Sequence, residues 1–395
     1  MAALGVLDGL PAAAPEPTGV AGSCEGSSNP TVFASNRRVA VTARGRVLAL
    51  YDPHGSGQQL TWRDRGDGWE TRTRGRVEGG DFAGEAPGDR TAAIALVRDG
   101  AGEQHGWVVL TGTETAEYPL PVRMARLSDL DDPRGPRVGR EVTVRATAGG
   151  NARADIAFER GPKGRRRGVI SWLRHTEAGS FQLMVAWFGR PGSDAPRLHH
   201  AQALLTAANG RPTPTLVPTR RGIRLVATTG RGRLRLFAHR AGAPLRRWSS
   251  GRARVPVAGS ARPSAVWVPP GVMAAAEGRR GAVVVVRLSS SGDEARVVRR
   301  LRGHSQPALT GSRRRAWLFM VRSRDGALVS RSFRRGSGWS ARDRVELPAN
   351  RRGLAWPNAA RRARRGLHVL VQGRRCPTSP KAHEVMAVER RTGRK

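Results

Sequence analysis

The chain has 395 residues, with 69 lysine and arginine residues against 31 acidic ones and a formal net charge of +38. Ten tryptophans and an apolar fraction of 38% can form a sizeable core, which argues against a disordered chain. No run approaches the ~20 apolar residues that a membrane-spanning helix needs. We therefore expect a folded protein without a membrane span, built as two or three domains or as one large repeat architecture.

The positive charge is almost entirely arginine, and it lies in one part of the chain. Lysine occurs only three times. Residues 1–150 contain 17 arginines and 19 acidic residues, a net charge of −2, whereas residues 151–395 contain 52 basic and 12 acidic residues, a net charge of +40. A GC-rich genome would favour arginine over lysine, but it would spread the excess evenly. The asymmetry predicts an anionic partner without identifying it.

Residues 1–28 are predicted to form a flexible leader or a processing remnant. This segment is rich in alanine, glycine and proline, and it lacks the cationic start and long apolar run of an intact signal peptide. Cys24 and Cys376 are the two cysteines of the chain. They are either two buried thiols or one disulfide, and a disulfide would require an oxidising compartment and hence export.

The hydrophobic pattern is that of β-strands almost throughout. Arg231–Phe237 alternates arginine with leucine, which places cations on one face of a strand and core residues on the other. Short apolar runs bounded by turn residues predict buried strands. These runs begin at Val39, Val47, Ala93, Val169 and Val283. The best helix candidate is His200–Ala208, which ends at Asn209-Gly210.

A unit of three or four strands recurs along the chain. Its prolines at Pro214, Pro263, Pro307 and Pro357 are 49, 44 and 50 residues apart. Units can be placed with starts near residues 29, 81, 151, 212, 262, 306 and 356. A period of about 40–50 residues is typical of propeller blades, so we predict an all-β fold, a single seven-bladed β-propeller over residues 29–395. Six blades or tandem β-sandwiches are the alternatives. Ring closure would bring Cys24 and Cys376 together, which favours the disulfide.

The clearest unit runs from Gln306-Pro307 through Asp325-Gly326-Ala327-Leu328 and Gly338-Trp339 to Leu347. It resembles the repeats of seven-bladed bacterial sugar-binding lectins and tectonin-like propellers. The resemblance implies sugar sites between blades, with Trp339 as the candidate for stacking on a sugar. Asp52–Trp62 distantly resembles the Asp-box hairpin of sialidase-type propellers, although the gap between its Asp and Trp is too long.

Catalytic and metal chemistry find little support in the sequence. A sialidase-like glycoside hydrolase needs a tyrosine nucleophile with an acidic partner, and the candidates are Tyr51 beside Asp52 and Tyr118 beside Glu117. The nine histidines are scattered, and Asp129, Asp131 and Asp132 fit an ordinary turn better than a calcium loop. We therefore expect no metal and no cofactor, and a binding protein rather than an enzyme.

The arginine clusters are the candidate binding residues. They are Arg165, Arg166 and Arg167; Arg313, Arg314 and Arg315; and Arg361, Arg362, Arg364 and Arg365. Such clusters could bind the phosphate groups of a nucleic acid, but no recognition helix or RNA-binding motif accompanies them. We predict a non-catalytic, exported monomer at the cell surface or outside the cell, binding an anionic glycan or cell-envelope polymer. The sialidase-like hydrolase and charge-driven nucleic-acid binding remain the alternatives.

Overall fold

The structure is a computed structural model of the whole chain. It describes residues 18–19, 37–51, 58–64, 69, 74–75, 81–82, 91–112, 121–144, 150–160, 166–189, 191–193, 198–208, 210–259, 261–347, 354–363, 366–376 and 379–390. No helix long and apolar enough to cross a membrane occurs within these ranges.

The described residues form seven β-sheets, which we number as blades in chain order. The first strand of the chain, β1 (Thr18–Gly19), belongs to the last blade. Blade 1 contains β2 (Val39–Val41), β3 (Val47–Tyr51), β4 (Gln58–Arg63) and β6 (Asp81–Phe82). Blade 2 contains β5 (Arg74–Gly75), β7 (Thr91–Arg98), β8 (Gln104–Thr111), β9 (Val122–Ser128), β10 (Arg137–Val138) and β11 (Val142–Val144). Blade 3 contains β12 (Asn151–Arg160), β13 (Arg166–His175), β14 (Phe181–Phe188) and β15 (Leu198–Ala207).

The remaining blades follow the same order. Blade 4 contains β16 (Pro214–Thr219), β17 (Gly222–Thr229), β18 (Arg233–Arg240), β19 (Trp248–Ser250) and β20 (Val255–Pro256). Blade 5 contains β21 (Ser264–Val268), β22 (Gly271–Glu277), β23 (Ala282–Leu288) and β24 (Ala295–Arg302). Blade 6 contains β25 (His304–Gly311), β26 (Arg315–Arg322), β27 (Leu328–Arg334), β28 (Gly338–Trp339) and β29 (Arg344–Leu347). Blade 7 contains β30 (Ala355–Ala359), β31 (Leu367–Cys376), β32 (Ser379–Arg390) and β1.

The seven sheets form a closed ring, and the predicted seven-bladed β-propeller is confirmed. The first strands of neighbouring blades contact one another from β2 to β30, and β2 also contacts β31 of blade 7. A buried hydrophobic cluster fills each of the seven junctions between blades, including the one between blades 7 and 1. Six blades and tandem sandwiches are therefore excluded.

The ring is closed by pairing between the two ends of the chain. In the antiparallel register of β1 with β32, Thr18 lies opposite Ala387 and Gly19 opposite Met386. Blade 7 therefore takes its outer strand from the beginning of the chain and its three inner strands from the end. The rest of the predicted leader, residues 1–17 and 20–28, lies outside the described residues.

The strand predictions hold, whereas the helix prediction is wrong. Leu234 and Leu236 of β18 are fully buried while Arg233 is exposed, as the alternating pattern requires. All but the last residue of the helix candidate His200–Ala208 instead lie in β15, the outer strand of blade 3, which pairs with β14. The hydrogen bonds to β14 outweigh a local helical preference that extends over barely two turns.

Candidate functional site

The hairpins that join the first strand of a blade to its second lie at one end of the ring. In every blade the chain runs from the innermost strand to the second strand in the same direction along the ring axis, so these first hairpins share a face; the innermost strands are β2, β7, β12, β16, β21, β25 and β30. We call this surface the first-hairpin face. A cavity of about 230 Å³ opens there, lined by residues of blades 1, 2, 3, 4 and 7. Most of its lining residues lie on or next to innermost strands, so we interpret it as the mouth of the central channel and call it the central cavity.

The central cavity is cationic with an apolar wall. Arg98, Arg166, Arg361 and Arg362 line it, and none of its described lining residues is acidic. The wall consists mainly of aliphatic strand residues, together with Phe158 and Pro218. The Arg166 side chain is exposed and has no hydrogen-bond or ion-pair partner among the described residues. Arginines beside apolar surface interact more strongly with an anion than fully hydrated ones, because water screens them less.

A buried arginine closes the channel beneath this cavity. The guanidinium of Arg37, which is 0% exposed, donates from Nη2 to the carbonyl oxygen of Ala265 at 2.6 Å and from Nη1 to that of Leu309 at 2.7 Å. A longer bond of 3.3 Å reaches the carbonyl oxygen of Ala359. The side chain thus joins blade 1 to the inner strands of blades 5, 6 and 7. Burial, reinforced by repulsion from Arg361, lowers the pKa of Arg37 to about 9.

A buried carboxylate completes the floor. Asp155 of β12 is 0% exposed, and its oxygens accept hydrogen bonds from the backbone nitrogens of Leu216 at 2.7 Å and Ile156 at 2.8 Å. Nη2 of Arg361 donates to both oxygens, at 3.0 and 3.2 Å. Burial raises the pKa of the Asp155 carboxyl above its ordinary value, although Arg361 and Arg37 oppose this rise. The floor therefore links blades 3, 4 and 7 as well.

The predicted cluster Arg165–Arg167 falls on the first hairpin of blade 3. Arg165 lies outside the described residues, and Arg166 lines the central cavity. Nη2 of Arg167 is 2.5 Å from an oxygen of the buried Glu159, and its guanidinium lies 5.5 Å from the ring centre of Trp187. Arg167 is therefore part of the packing of its blade, whereas Arg166 faces the cavity.

The other two predicted clusters meet on the same face. Arg313 and Arg314 are exposed on the first hairpin of blade 6, and Arg315 is half-buried at the start of β26. The chain after β30 runs beside this hairpin, since Arg362 forms a parallel bridge with Gly311 and the nitrogen of Ala363 donates to the Gly311 carbonyl oxygen at 3.1 Å. Arg361 and Arg362 line the cavity, while Arg364 and Arg365 lie outside the described residues.

Trp339 lies away from the central cavity. It is 9% exposed and packs 5.5 Å from the ring of Phe333, in the core between blades 5 and 6. The candidate nucleophile Tyr51 is 0% exposed in the junction of blades 7 and 1, where its hydroxyl contacts Gln59. The structural description does not extend to Asp52, Glu117, Tyr118 or Cys24, nor to the Cys376 side chain, so the disulfide stays a prediction.

The structure gathers three residues of metal-ligand type that the sequence did not single out. Asp99, Glu103 and His105 meet at the first hairpin of blade 2. Oδ2 of Asp99 is 2.9 Å from Nε2 of His105, while Nη2 of Arg126 lies 3.0 Å from Nδ1. An imidazole that accepts from a guanidinium at Nδ1 carries its proton on Nε2 and donates it to Asp99. Because that guanidinium would also repel a metal cation, the arrangement favours a hydrogen-bonded hairpin over a metal site.

Three residues of the site had no motif to identify them. Arg37 precedes β2, Asp155 lies inside β12, and Arg98 ends β7, each in a strand-rich segment and outside the three arginine clusters. The one available signal was that Arg37 lies just before the apolar run predicted to begin at Val39. Which side chains cross the channel depends on the bulge between Ala152 and Asp155, and no pattern in the sequence marks that bulge.

Comparison with known proteins finds only distant likenesses. No protein-family model matches it, and no curated protein sequence does. Among solved structures, the fucose-specific lectin from Aleuria aurantia shares 12% identity at a TM-score of 0.48, covering 81% of this chain and 98% of the lectin. AofleA from Arthrobotrys oligospora shares 10% identity at a TM-score of 0.48, covering 80% of this chain and 88% of that one. The K499G mutant of NanB sialidase from Streptococcus pneumoniae shares 11% identity at a TM-score of 0.48, covering 95% of this chain and 70% of the sialidase. These likenesses carry no argument about the ligand, which has to be inferred from the site itself.

Proposed function

We propose that this protein is a non-catalytic binding propeller that holds an anionic polymer, an acidic glycan or another anionic cell-surface polymer, on its first-hairpin face. One anionic group of the polymer enters the central cavity. The observation that supports this proposal is the convergence of the described arginines of three clusters, separated by up to about 200 positions in the chain, on one end of the ring.

The chemistry of the cavity fits a carboxylate, sulfate or phosphate group. Guanidinium groups offer paired donors that match the oxygens of such groups, and arginine is the residue most suited to this planar recognition. Arg98 donates from Nη1 to the carbonyl oxygen of Gly102, so it is held at the rim without being neutralised by that contact. With no acidic residue among the described lining residues, an entering anion meets no like charge at the wall.

A glycan fits this surface better than a nucleic acid does. Proteins that bind single-stranded nucleic acid present aromatic rings on which bases stack. Phe158 is the one aromatic residue among the described residues that line the central cavity, so the cavity offers no row of rings for successive bases. Export and a location at the cell surface belong to the same proposal, with a Cys24–Cys376 disulfide as the expected accompaniment.

The test is heparin binding by two matched double variants, measured over a series of salt concentrations. Arg166→Gln with Arg362→Gln removes two cations from the central cavity. Arg279→Gln with Arg280→Gln removes two exposed cations from the β22–β23 hairpin at the opposite end of the ring. We expect the cavity variant to bind about tenfold more weakly, with the slope of log affinity against log salt reduced by about 2, roughly 1 for each arginine. The control pair should change neither quantity.

Two results would contradict the proposal. Equal losses in both double variants would mean that heparin responds to total charge and not to the first-hairpin face. Single-stranded DNA that binds more tightly than heparin at physiological salt would support the nucleic-acid alternative instead.

A further inference from the structure

The floor of the central cavity carries more positive than negative charge. Arg37 and Arg361 provide two guanidinium groups, and Asp155 provides one carboxylate between them. Both Arg37 and Asp155 are 0% exposed, and the Arg361 side chain is 16% exposed. Buried charges are stable when they are matched, so a floor with one uncompensated cation favours a second anion.

Arg361 is the residue through which that anion can be bound. Arg361 lines the cavity, its Nη2 donates to Asp155, and its Nε is buried without a hydrogen-bond partner. An unpaired buried donor is costly, so this guanidinium still has capacity to bind an anion that reaches it from the cavity. The Arg361 guanidinium would then bind two negative groups, the anion in the cavity and the Asp155 carboxylate beneath it.

We propose that the floor of the central cavity is a proton-coupled anion site, in which one anionic group binds Arg361 and the Asp155 carboxyl takes up a proton from solvent. This inference rests on the proposed function and names how the same site is regulated. The ligand class is an oxyanion, a carboxylate, sulfate or phosphate, carried at a chain end or on a side group. Because Arg37 and Asp155 close the channel, the anion enters from the first-hairpin face and the polymer does not pass through the ring.

The direction of the coupling follows from the charges around Asp155. The charged groups that face this carboxyl are Arg361, from the chain after β30, and Arg37, from the segment before β2. The contacts from β16 and from its own strand are backbone N–H groups. An anion bound to Arg361 repels the Asp155 carboxylate and competes with it for the Arg361 guanidinium. Both effects make the Asp155 carboxylate easier to protonate. By reciprocity, protonation of Asp155 strengthens anion binding, and affinity rises as the pH falls.

The experiment is calorimetric titration with sodium sulfate, whose charge is constant between pH 7 and pH 5. Each titration is run in two buffers with different ionisation enthalpies, so that the number of protons taken up on binding is measured directly. For the wild-type protein we expect sulfate to bind about tenfold more tightly at pH 5 than at pH 7, with uptake of up to one proton. For Asp155→Asn we expect one affinity at both pH values and no proton uptake.

Further variants keep the test decisive. The amide of Asp155→Asn places an N–H donor near backbone N–H groups, so its circular dichroism is compared with that of the wild-type protein. If this variant does not fold, the proton uptake measured for the wild-type protein still tests the coupling. Independently, Arg361→Gln should abolish both sulfate binding and proton uptake. Arg279→Gln, at the opposite end of the ring, should behave like the wild-type protein.

The possible failures separate the two proposals. Sulfate binding without proton uptake would overturn the coupling and leave the proposed function intact. If heparin responds to the cavity variants but sulfate does not bind, the floor site is wrong while the first-hairpin face still binds polyanions. If neither heparin nor sulfate depends on the cavity arginines, both proposals fail.

Discussion

At the scale of single residues, the centre of this protein is organised by one arginine. Arg37 reaches from the segment before β2 to the carbonyl oxygens of Ala265, Leu309 and Ala359, each on the inner strand of a different blade. These three residues are 0% exposed, so little water is available to replace the guanidinium. A buried cation is costly to desolvate, as the lowered pKa of about 9 indicates, and its three carbonyl partners offset that cost.

We predict that Arg37→Met destabilises the protein by roughly 3 kcal/mol, because buried carbonyl groups lose their donors and Asp155 loses a nearby cation. The measurement is the urea midpoint at an unchanged m-value. Arg279→Met, an exposed residue with the same change of side chain, should shift the free energy of unfolding by less than about 0.5 kcal/mol. An Arg37→Met midpoint equal to or above that of the wild-type protein would show that apolar packing replaces the arginine without loss.

At the scale of elements, the junction between the last and first blades depends on a charged contact as well as on packing. Arg63 of β4 in blade 1 pairs with Glu389 of β32 in blade 7, and Nδ1 of His368 lies 3.0 Å from the same carboxylate. Burial raises the pKa of Glu389, but the hydrogen bonds from His368 and Arg63 outweigh it, and the net pKa lies below the ordinary value. The charged form of Glu389 therefore stabilises the folded ring.

This pair predicts a stability difference that depends on pH. A carboxyl whose pKa is lower in the folded state contributes stability above its unfolded pKa, near 4.3, and that stability is lost as the pH falls through the folded pKa. We expect Glu389→Gln to lower the free energy of unfolding by about 1 kcal/mol at pH 7, a modest value because 33% of the Glu389 side chain is exposed. The gap between variant and wild type should close below pH 4.

Urea unfolding of both proteins at pH 7, 5 and 3 measures this gap. Glu294→Gln, at an exposed position in blade 5, serves as the control and should show no gap at any pH. A Glu389→Gln deficit that stays constant from pH 7 to pH 3 would mean that the carboxylate charge is not what stabilises the junction.

At the scale of the whole molecule, the charge is distributed unevenly around the ring. The last five blades carry the arginine excess, whereas the first part of the chain is nearly neutral. A net charge of +38 on a compact body destabilises the folded state through mutual repulsion. Ion pairs such as Arg361 with Asp155 and Arg167 with Glu159 neutralise a few of these arginines in the interior. Most of the remaining charge lies at the surface, where dissolved ions can screen it.

We predict that sodium chloride stabilises this protein at low concentration. Raising it from about 10 to 150 mM shortens the screening length from ~30 to ~8 Å and weakens repulsion between arginines on neighbouring hairpins. The melting temperature should rise by a few degrees. Heparin at 10 mM salt should raise it as well, and that second effect should be smaller in the Arg166→Gln, Arg362→Gln double variant, which binds heparin more weakly. A melting temperature that falls on adding salt would show that exposed ion pairs, which salt weakens, outweigh the repulsion.

The sequence by itself was sufficient for the fold. Strand periodicity and a repeat of 40–50 residues depend on local hydrophobic burial, so they can be read from the order of the residues, as Leu234 and Leu236 in β18 illustrate. His200–Ala208 was misassigned because its few apolar residues fit either period, and only pairing with β14 decides between them. The arginine clusters were also evident as sequence features, although their common location was not.

Only the tertiary structure decided where those charges act. Ring closure brings Arg166, Arg361 and Arg362 to one cavity and places Arg313 and Arg314 beside the chain that follows β30. It also places Arg37 and Asp155 across the channel, and it directs Arg167 and Trp339 into the packing of blades. These outcomes depend on contacts between residues up to about 300 positions apart, and on bulges that change which way a strand residue faces. The net charge of the chain thus indicated an anionic partner, whereas the closed ring determines which few arginines can meet it.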